Sequence, residues 1–366
     1  MAVKSADDHG GNVYAAAREL RRPADTLLDF SASINPLGPS PKALRAIAGC
    51  RSALSHYPDP VCWDLRRCLA SRWKLSPDQI VVGNGSTELI HLLPRAFAIR
   101  HALVIAPTFS EYARAVERAG GRVTWLLAKR REGYRPPLEH AVRWLRSNRM
   151  GRKKIDAIFL CHPNSPTGQI CHVHEVNGLV QEAERTGTWM VLDETFIEYC
   201  EQQSLLPRLS RFSRLIILRS FTKFYALPGL RIGCLVAAEW AARRVKVYQS
   251  PWSVNALAQV AAVASFKDHR HARRSLRYMA QERDRFRRRL NAVPGLTLFP
   301  SQSNFLLVEL PRAQRAGQIA AALRRQGMLI RDCSSVPGLN HRSVRIAVRT
   351  RRENNRLVDA LGHLLA

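Results

Sequence analysis

Leu218-Arg219-Ser220-Phe221-Thr222-Lys223-Phe224-Tyr225-Ala226-Leu227-Pro228-Gly229-Leu230-Arg231-Ile232-Gly233 gathers hydroxyls, a lysine and an arginine into one turn-rich stretch. The apolar run Leu215 to Leu218 leads into it and reads as the end of a buried strand. Ser220 and Thr222 flank Phe221, and Lys223 follows directly. Arg231 comes after a Pro-Gly turn. Basic residues in this chain are mostly arginine, so a lone lysine at the mouth of a strand stands out. A desolvated amine beside cations has a lowered pKa and attacks aldehydes. The chemical reading is a Schiff-base lysine, with Ser220, Thr222 and Arg231 around a phosphate. Pyridoxal 5′-phosphate (PLP) carries both the aldehyde and the phosphate that such a set needs. A solvated lysine at a helix start is the plain alternative, and the rest of the chain must decide.

Outward from this stretch, strands and helices alternate. Strands are expected at 80–82, 103–106, 122–127, 155–161, 189–192, 215–218 and 232–237, with helices between them at 89–98, 112–119, 174–186 and 239–248. This alternation predicts a doubly wound, mostly parallel sheet. The chemically suggestive residues fall at the carboxyl ends of its strands, where such sheets bind ligands. After a helix ending near Phe266, a long arginine-rich helix is expected over 269–290. Strands at 296–299, 305–309, 328–331 and 344–348, with helices at 313–326 and 351–365, predict a smaller α+β domain. The expected division is an N-terminal arm, 1–45, a large domain, 46–268, and a small C-terminal domain, 269–366. No internal repeat or low-complexity segment interrupts it.

With 366 residues, 46% hydrophobic, the chain can bury a large core. No apolar run reaches membrane-spanning length, and the start MAVKSADDHGGN lacks an apolar signal segment. The expectation is a soluble, cytoplasmic protein that meets no membrane. Its eight cysteines include no C-x-x-C pair and read as reduced thiols. Cys161, His162, Cys171, His172 and His174 cluster in sequence, but their spacing fits no zinc pattern, and no metal is expected. The formal charge of +28 raises nucleic acid as a partner. The arginines are dispersed, however, as at Arg66-Arg67, Arg243-Arg244 and Arg287 to Arg289, and no nucleic-acid-binding motif accompanies them. Such a surface would steer anionic ligands.

Further candidates come in chain order. Gly83-Asn84-Gly85-Ser86-Thr87 lies between a strand and a helix, where backbone N–H groups bind phosphate or a hydroxyl simply caps the helix. Pro107-Thr108-Phe109, His162-Pro163-Asn164-Ser165-Pro166-Thr167-Gly168 and Asp193-Glu194 each follow a strand. Taken singly, Phe109 is a core residue, Asn164 a turn residue and Asp193 a strand-end cap.

Together, Gly85-Ser86-Thr87, Phe109, Asn164-x-Pro166-x-Gly168, Asp193, Ser220-x-Thr222-Lys223, Arg231 and Arg345 resemble the aspartate aminotransferase superfamily of PLP enzymes, fold type I. The resemblance spans essentially the whole chain. It implies that Asp193 meets the cofactor's ring nitrogen, Asn164 its phenolic oxygen and Phe109 its ring face. It also implies that Arg345 binds the substrate carboxylate by a two-pronged ion pair. Tyr57, in His56-Tyr57-Pro58-Asp59-Pro60, matches a tyrosine that reaches the neighbouring subunit's phosphate, which implies a homodimer with shared sites. Many relatives carry a tyrosine where this chain has Phe196.

Within the superfamily the chain looks like the L-threonine-O-3-phosphate decarboxylases of cobalamin biosynthesis, with histidinol-phosphate aminotransferases as the near branch. The signs are His9-Gly10-Gly11-Asn12, Asp29-Phe30-Ser31-Ala32-Ser33-Ile34-Asn35-Pro36-Leu37-Gly38 and Arg331-Asp332-Cys333-Ser334-Ser335-x-Pro337-Gly338. The resemblance places His9 and Arg331 on the substrate phosphate and brings Asn35 into the substrate set. The implied reaction is PLP-dependent decarboxylation of O-phospho-L-threonine. The alternatives are transamination of histidinol phosphate, or a non-enzymatic PLP-fold protein bound to nucleic acid.

Overall fold

The computed structural model describes residues 9–147 and 154–365. Its largest sheet has seven strands in the order Ile80–Gly83, Gly233–Val236, Leu215–Ser220, Trp189–Asp193, Ala157–Cys161, His101–Ala106 and Arg122–Leu127. Every pairing is parallel except the two made by Gly233–Val236. The central strands are unbroken apolar runs, as a parallel sheet covered on both faces requires. Alternate residues enter opposite layers. Ile158, Leu160, Met190 and Leu192 join a core with Val176 and Leu179. Phe159, Cys161, Val191 and Leu218 join another with Leu89, Leu93 and Tyr112. Six strands point the same way, so Gly83, Ala106, Cys161, Asp193 and Ser220 end along one edge.

The strand before Lys223 also carries Arg219, which is 3% exposed and turned to the opposite layer. There its guanidinium meets Glu194 at 3.0 Å and Glu201 at 3.0 Å. A buried cation left without these carboxylates would cost several kcal/mol, so the network fixes the strand that delivers Ser220 to the pocket.

A second body has an antiparallel sheet ordered Arg331–Asp332, Ser343–Ala347, Phe305–Glu309, Thr297–Leu298. The helices His269–Asn291, Ala316–Arg325 and Arg351–Leu365 belong with it. Its core includes Phe286, Leu306, Ile346 and Leu357, and also Phe30 from far upstream. Leu28–Asp29 pairs in parallel with Met328–Leu329. The early chain is thereby sewn onto the late chain, which brings the arm around His9 to the edge of the large sheet.

The large-sheet strands fall where the sequence pattern put them, within a few residues. Three differences have local causes. The run expected as one strand over 328–331 is split at Ile330, so Met328–Leu329 and Arg331–Asp332 join different sheets. The helix expected from residue 89 starts at Gly85, because small and polar residues fill its first turn instead of apolar ones. Leu138–Ser147 is a helix that the pattern reading left unassigned. Among the described residues no helix is long and apolar enough to cross a membrane.

Candidate active site

The strand ends converge on a cavity of about 560 Å³, lined by Ser86, Thr87, Asp193, Ser220, Lys223 and Arg231 among others. Phe109, His9, Arg331 and Arg345 line it too. At one end stands the first turn of the helix Gly85–Ala96. Gly85 has φ +79°, and a Cβ there would come within 2.5 Å of an Arg231 guanidinium nitrogen. Only glycine lets that cation lie against the helix N-terminus. Ser220 Oγ and Thr222 Oγ1 sit 2.8 Å apart nearby. Backbone amides, a helix dipole, hydroxyls and a guanidinium in one cradle make an anion site.

At the other end Asp193 is 4% exposed. Its Oδ2 accepts the Tyr112 hydroxyl at 2.6 Å and its Oδ1 accepts the Thr195 amide at 2.9 Å. Burial raises its pKa, while the bonds from Thr195 and Tyr112 and the nearby Lys223 oppose that rise. The two donors hold a carboxylate aimed at the pocket without neutralising it.

Lys223 lies between these ends. Burial, then the charges of Arg345, Arg231 and Arg331, push its pKa down to about 8. About a tenth of the amine is then neutral at pH 7, against a far smaller fraction for an ordinary lysine. A lysine whose folded pKa is depressed binds fewer protons than in the unfolded chain between about 8 and its ordinary value. Stability of the cofactor-free protein should therefore rise with pH through that window. The same shift makes a kinetic prediction. Capture of pyridoxal 5′-phosphate by cofactor-free protein should accelerate about tenfold per pH unit below 8 and level off above it. Stopped-flow absorbance at several pH values checks this. A flat profile from pH 6 to 9 would remove the depressed lysine.

The substrate side is set by two arginines. Arg331 and Arg345 face each other across the antiparallel ladder. They are 8% and 7% exposed. Arg345 Nη1 donates to Ser165 Oγ at 3.0 Å and Nη2 to the Ser31 carbonyl at 2.6 Å. Arg331 Nη1 donates to the His9 carbonyl at 2.5 Å. The Nε of each is buried without a hydrogen-bond partner among the described residues. Burial, with Arg331 alongside, pushes the Arg345 pKa down to about 9. Like charges directly opposite in a ladder destabilise it. Neither is in an ion pair among the described residues, and a buried pair of cations in a cavity can bind anions.

Other expected residues stand elsewhere. Asn35 lies behind the lysine: its side chain donates to the Phe224 carbonyl at 2.9 Å and Ser275 Oγ at 2.8 Å, and its own N–H to the Lys223 carbonyl at 3.0 Å. It holds the lysine loop in place. Asn164 is buried beside the pocket, with its amide donating to the Pro107 carbonyl at 2.7 Å and to Thr167 Oγ1 at 2.8 Å. Tyr57 is 79% exposed and stacks on Trp252 at 4.7 Å, away from this cavity. Phe196 lines the cavity and packs edge-on against Phe305. The cysteine–histidine run disperses: Cys161 reaches the cavity while His172 and His174 stack on each other at a helix start. Glu111, Tyr112, Arg114, Thr195 and Ser165 also line or support the site and were missed in sequence. Tyr112 and Glu111 directly follow the Phe109 turn, which was the one available signal.

A sheet edge with a depressed lysine, an anion cradle on one side and a buried carboxylate on the other defines a fold type I enzyme site. The chain belongs to the aminotransferase class I and II family, whose model matches residues 25–361. Among curated relatives, threonine-phosphate decarboxylase of Salmonella typhimurium is 34% identical over 98% of this chain and 96% of its own. An adenosylcobalamin biosynthesis bifunctional protein of Leptospira interrogans is 30% identical over 98% of this chain, the match spanning 41% of that longer protein. Histidinol-phosphate aminotransferase from Clostridium acetobutylicum superimposes with a TM-score of 0.85 at 28% identity, covering 92% of this chain and 99% of the other.

Proposed function

We propose that this chain is a PLP-dependent carboxy-lyase. It converts O-phospho-L-threonine to (R)-1-amino-2-propanol O-2-phosphate for cobalamin biosynthesis. The observation that carries this reading is the pair Arg331 and Arg345, buried, opposed and in no ion pair among the described residues. O-phospho-L-threonine brings two anions, a carboxylate and a phosphate, to two cations. Histidinol phosphate brings one.

The pocket fits the cofactor by its own chemistry: the cradle that Gly85 leaves open, the ionisable Asp193 opposite, and the depressed amine between them. Ser86, Thr87, Ser220, Thr222 and Arg231 would hold the phosphate, Asp193 the ring nitrogen and Phe109 the ring face. Bound there, pyridoxal 5′-phosphate supplies the electron sink that accepts the pair left when a bond at Cα breaks. Arg345 binds the departing carboxylate. Arg331, with His9, grips the distal phosphate, so remote binding energy fixes which Cα bond is turned for cleavage. Lys223, whose pKa of about 8 leaves most of it protonated near pH 7, delivers a proton from its Nζ ammonium to Cα and is left as the neutral amine.

A parallel assay decides the reading. Purified protein should release carbon dioxide from O-phospho-L-threonine and form no glutamate from histidinol phosphate and 2-oxoglutarate; the reverse pattern assigns it to the aminotransferase branch.

The acting species in this reading is a homodimer. Exposed Tyr57 and Trp252 support it, as does the neighbouring groove of about 1020 Å³ walled by Leu65, Cys68, Val260, Val263 and Phe266. Tyr57 would complete the partner's phosphate cradle. Light scattering should give twice the chain mass, and a monomer that is fully active would contradict the sharing of sites.

A further inference from the structure

Glu111 is an anion where the proposed chemistry gathers anions. It is the first residue of the helix Glu111–Arg118, is 6% exposed, and lines the same cavity as His9 and Arg331. A carboxylate there weakens attraction for a phosphorylated substrate, so its presence calls for a reason. Its partners supply one. Oε1 meets His9 Nε2 at 2.8 Å and accepts Arg114 Nη1 at 2.9 Å. Oε2 meets His91 Nε2 at 2.8 Å. His91 belongs to the helix Gly85–Ala96, the one whose first turn builds the anion cradle. The helix N-terminus favours an anion at Glu111, and hydrogen bonds from His9 and His91 hold its carboxyl well below the usual range.

The consequence lies on the other side of the His9 ring. Its Nδ1 is buried and has no hydrogen-bond partner among the described residues. The ring is tilted against Phe109 at 5.4 Å, and the His9 carbonyl is tied to Arg331. With Nε2 shared between Glu111 Oε1 at 2.8 Å and Arg114 Nη1 at 2.9 Å, Nδ1 is the ring nitrogen left to meet a ligand.

We propose that Glu111, braced by His91, is the positioning residue for the substrate's phosphate: it fixes the His9 ring so that Nδ1 donates to a phosphate oxygen beside Arg331. Held from Nε2, the imidazole presents Nδ1 to the phosphate, where an N–H to an anionic oxygen makes a charge-assisted hydrogen bond. The bare attraction that Glu111 cancels is exchanged for direction. A carboxylate ligand in the same place would meet the same single donor but lack the further oxygens for Arg331. This inference rests on the reading of His9 and Arg331 as phosphate ligands.

The test is a set of variants in the PLP-loaded protein. Glu111→Gln keeps shape and removes charge. KM for O-phospho-L-threonine should rise about ten- to a hundredfold, the worth of one charge-assisted hydrogen bond. In that variant kcat should stay within about twofold, and both PLP affinity and inhibition by unphosphorylated L-threonine should be unchanged. Glu111→Asp should recover part of the loss. His91→Ala, at the half-exposed end, should raise KM about two- to fivefold in the same pattern. Because Glu111 acts through His9, Glu111→Gln added to His9→Asn should cost nothing more. An unchanged KM, a parallel fall in kcat and PLP affinity, or additive losses in the double variant overturns the proposal. If Glu111→Gln fails to fold, His91→Ala decides alone, an unchanged KM counting against it. If the wild-type protein releases no carbon dioxide, the reaction assignment fails separately. Calorimetric binding of O-phospho-L-threonine to wild-type and Glu111→Gln protein then reads the phosphate clamp directly.

Discussion

Lys223→Ala should abolish turnover and, with it, the visible absorbance that accompanies capture of pyridoxal 5′-phosphate by the lysine. The expected fall in kcat is about four orders of magnitude or more, because one side chain serves as nucleophile and as proton donor. The cofactor itself should still bind. Its phosphate cradle of Ser86, Thr87, Ser220, Thr222 and Arg231 is built without Lys223, and so is the Asp193 contact held by Tyr112 and Thr195. Loss of the amine also removes a buried group that Arg345, Arg231 and Arg331 all repel when it is charged. The variant should therefore be as stable as wild type near neutral pH, or more so, which thermal unfolding of cofactor-free protein would register. Adding a small primary amine should restore some rate, since the neighbours that orient the substrate are intact. Retained turnover in Lys223→Ala would remove the covalent role. Loss of turnover together with loss of PLP binding and of fold would show instead that Lys223 is structural.

How much of this was legible in the sequence depends on distance along the chain. Ser220, Thr222, Lys223 and Arg231 act within one strand and the turn after it, so their chemistry could be read from neighbours. Gly85 could be read as a phosphate turn, but the cause of the glycine, an Arg231 guanidinium within 2.5 Å of a would-be Cβ, is a tertiary fact. Short apolar runs placed the sheet because buried parallel strands are continuously apolar. It missed Leu138–Ser147, which carries only three buried residues amid charge. The resemblance supplied His9, Arg331 and Arg345, and nothing in their local context did. Tyr112 and Glu111 escaped both routes. Tyr112 matters through Asp193 and Glu111 through His9, contacts spanning 81 and 102 residues of chain. Asn35 was drawn into the substrate set by its motif, whereas packing turns its amide to the backbone behind Lys223.

Arg331→Ala should raise KM for O-phospho-L-threonine by about thirtyfold or more while leaving PLP affinity within about twofold. The size follows from what is lost. Truncating one partner of a buried, hydrogen-bonded charge pair costs roughly 2–5 kcal/mol, or about thirtyfold to several thousandfold in affinity. The selectivity follows from placement. Arg331 sits on the strand Arg331–Asp332 of the second sheet, while the cofactor cradle is assembled at the edge of the large sheet from Gly85, Ser220 and Arg231. Two further effects should separate Arg331 from its neighbour. Arg331 lowers the pKa of both Lys223 and Arg345, so its loss should move the pH midpoint for PLP capture upward from about 8. Arg345→Ala should instead weaken the unphosphorylated amino acid as an inhibitor, because the carboxylate has lost its ligand. Arg331→Ala should leave that inhibition nearly intact. Equal weakening of phosphothreonine and threonine in both variants would mean that the opposed arginines share one anion. The assignment of carboxylate to Arg345 and phosphate to Arg331 would then fall, and with it the argument that the substrate carries both.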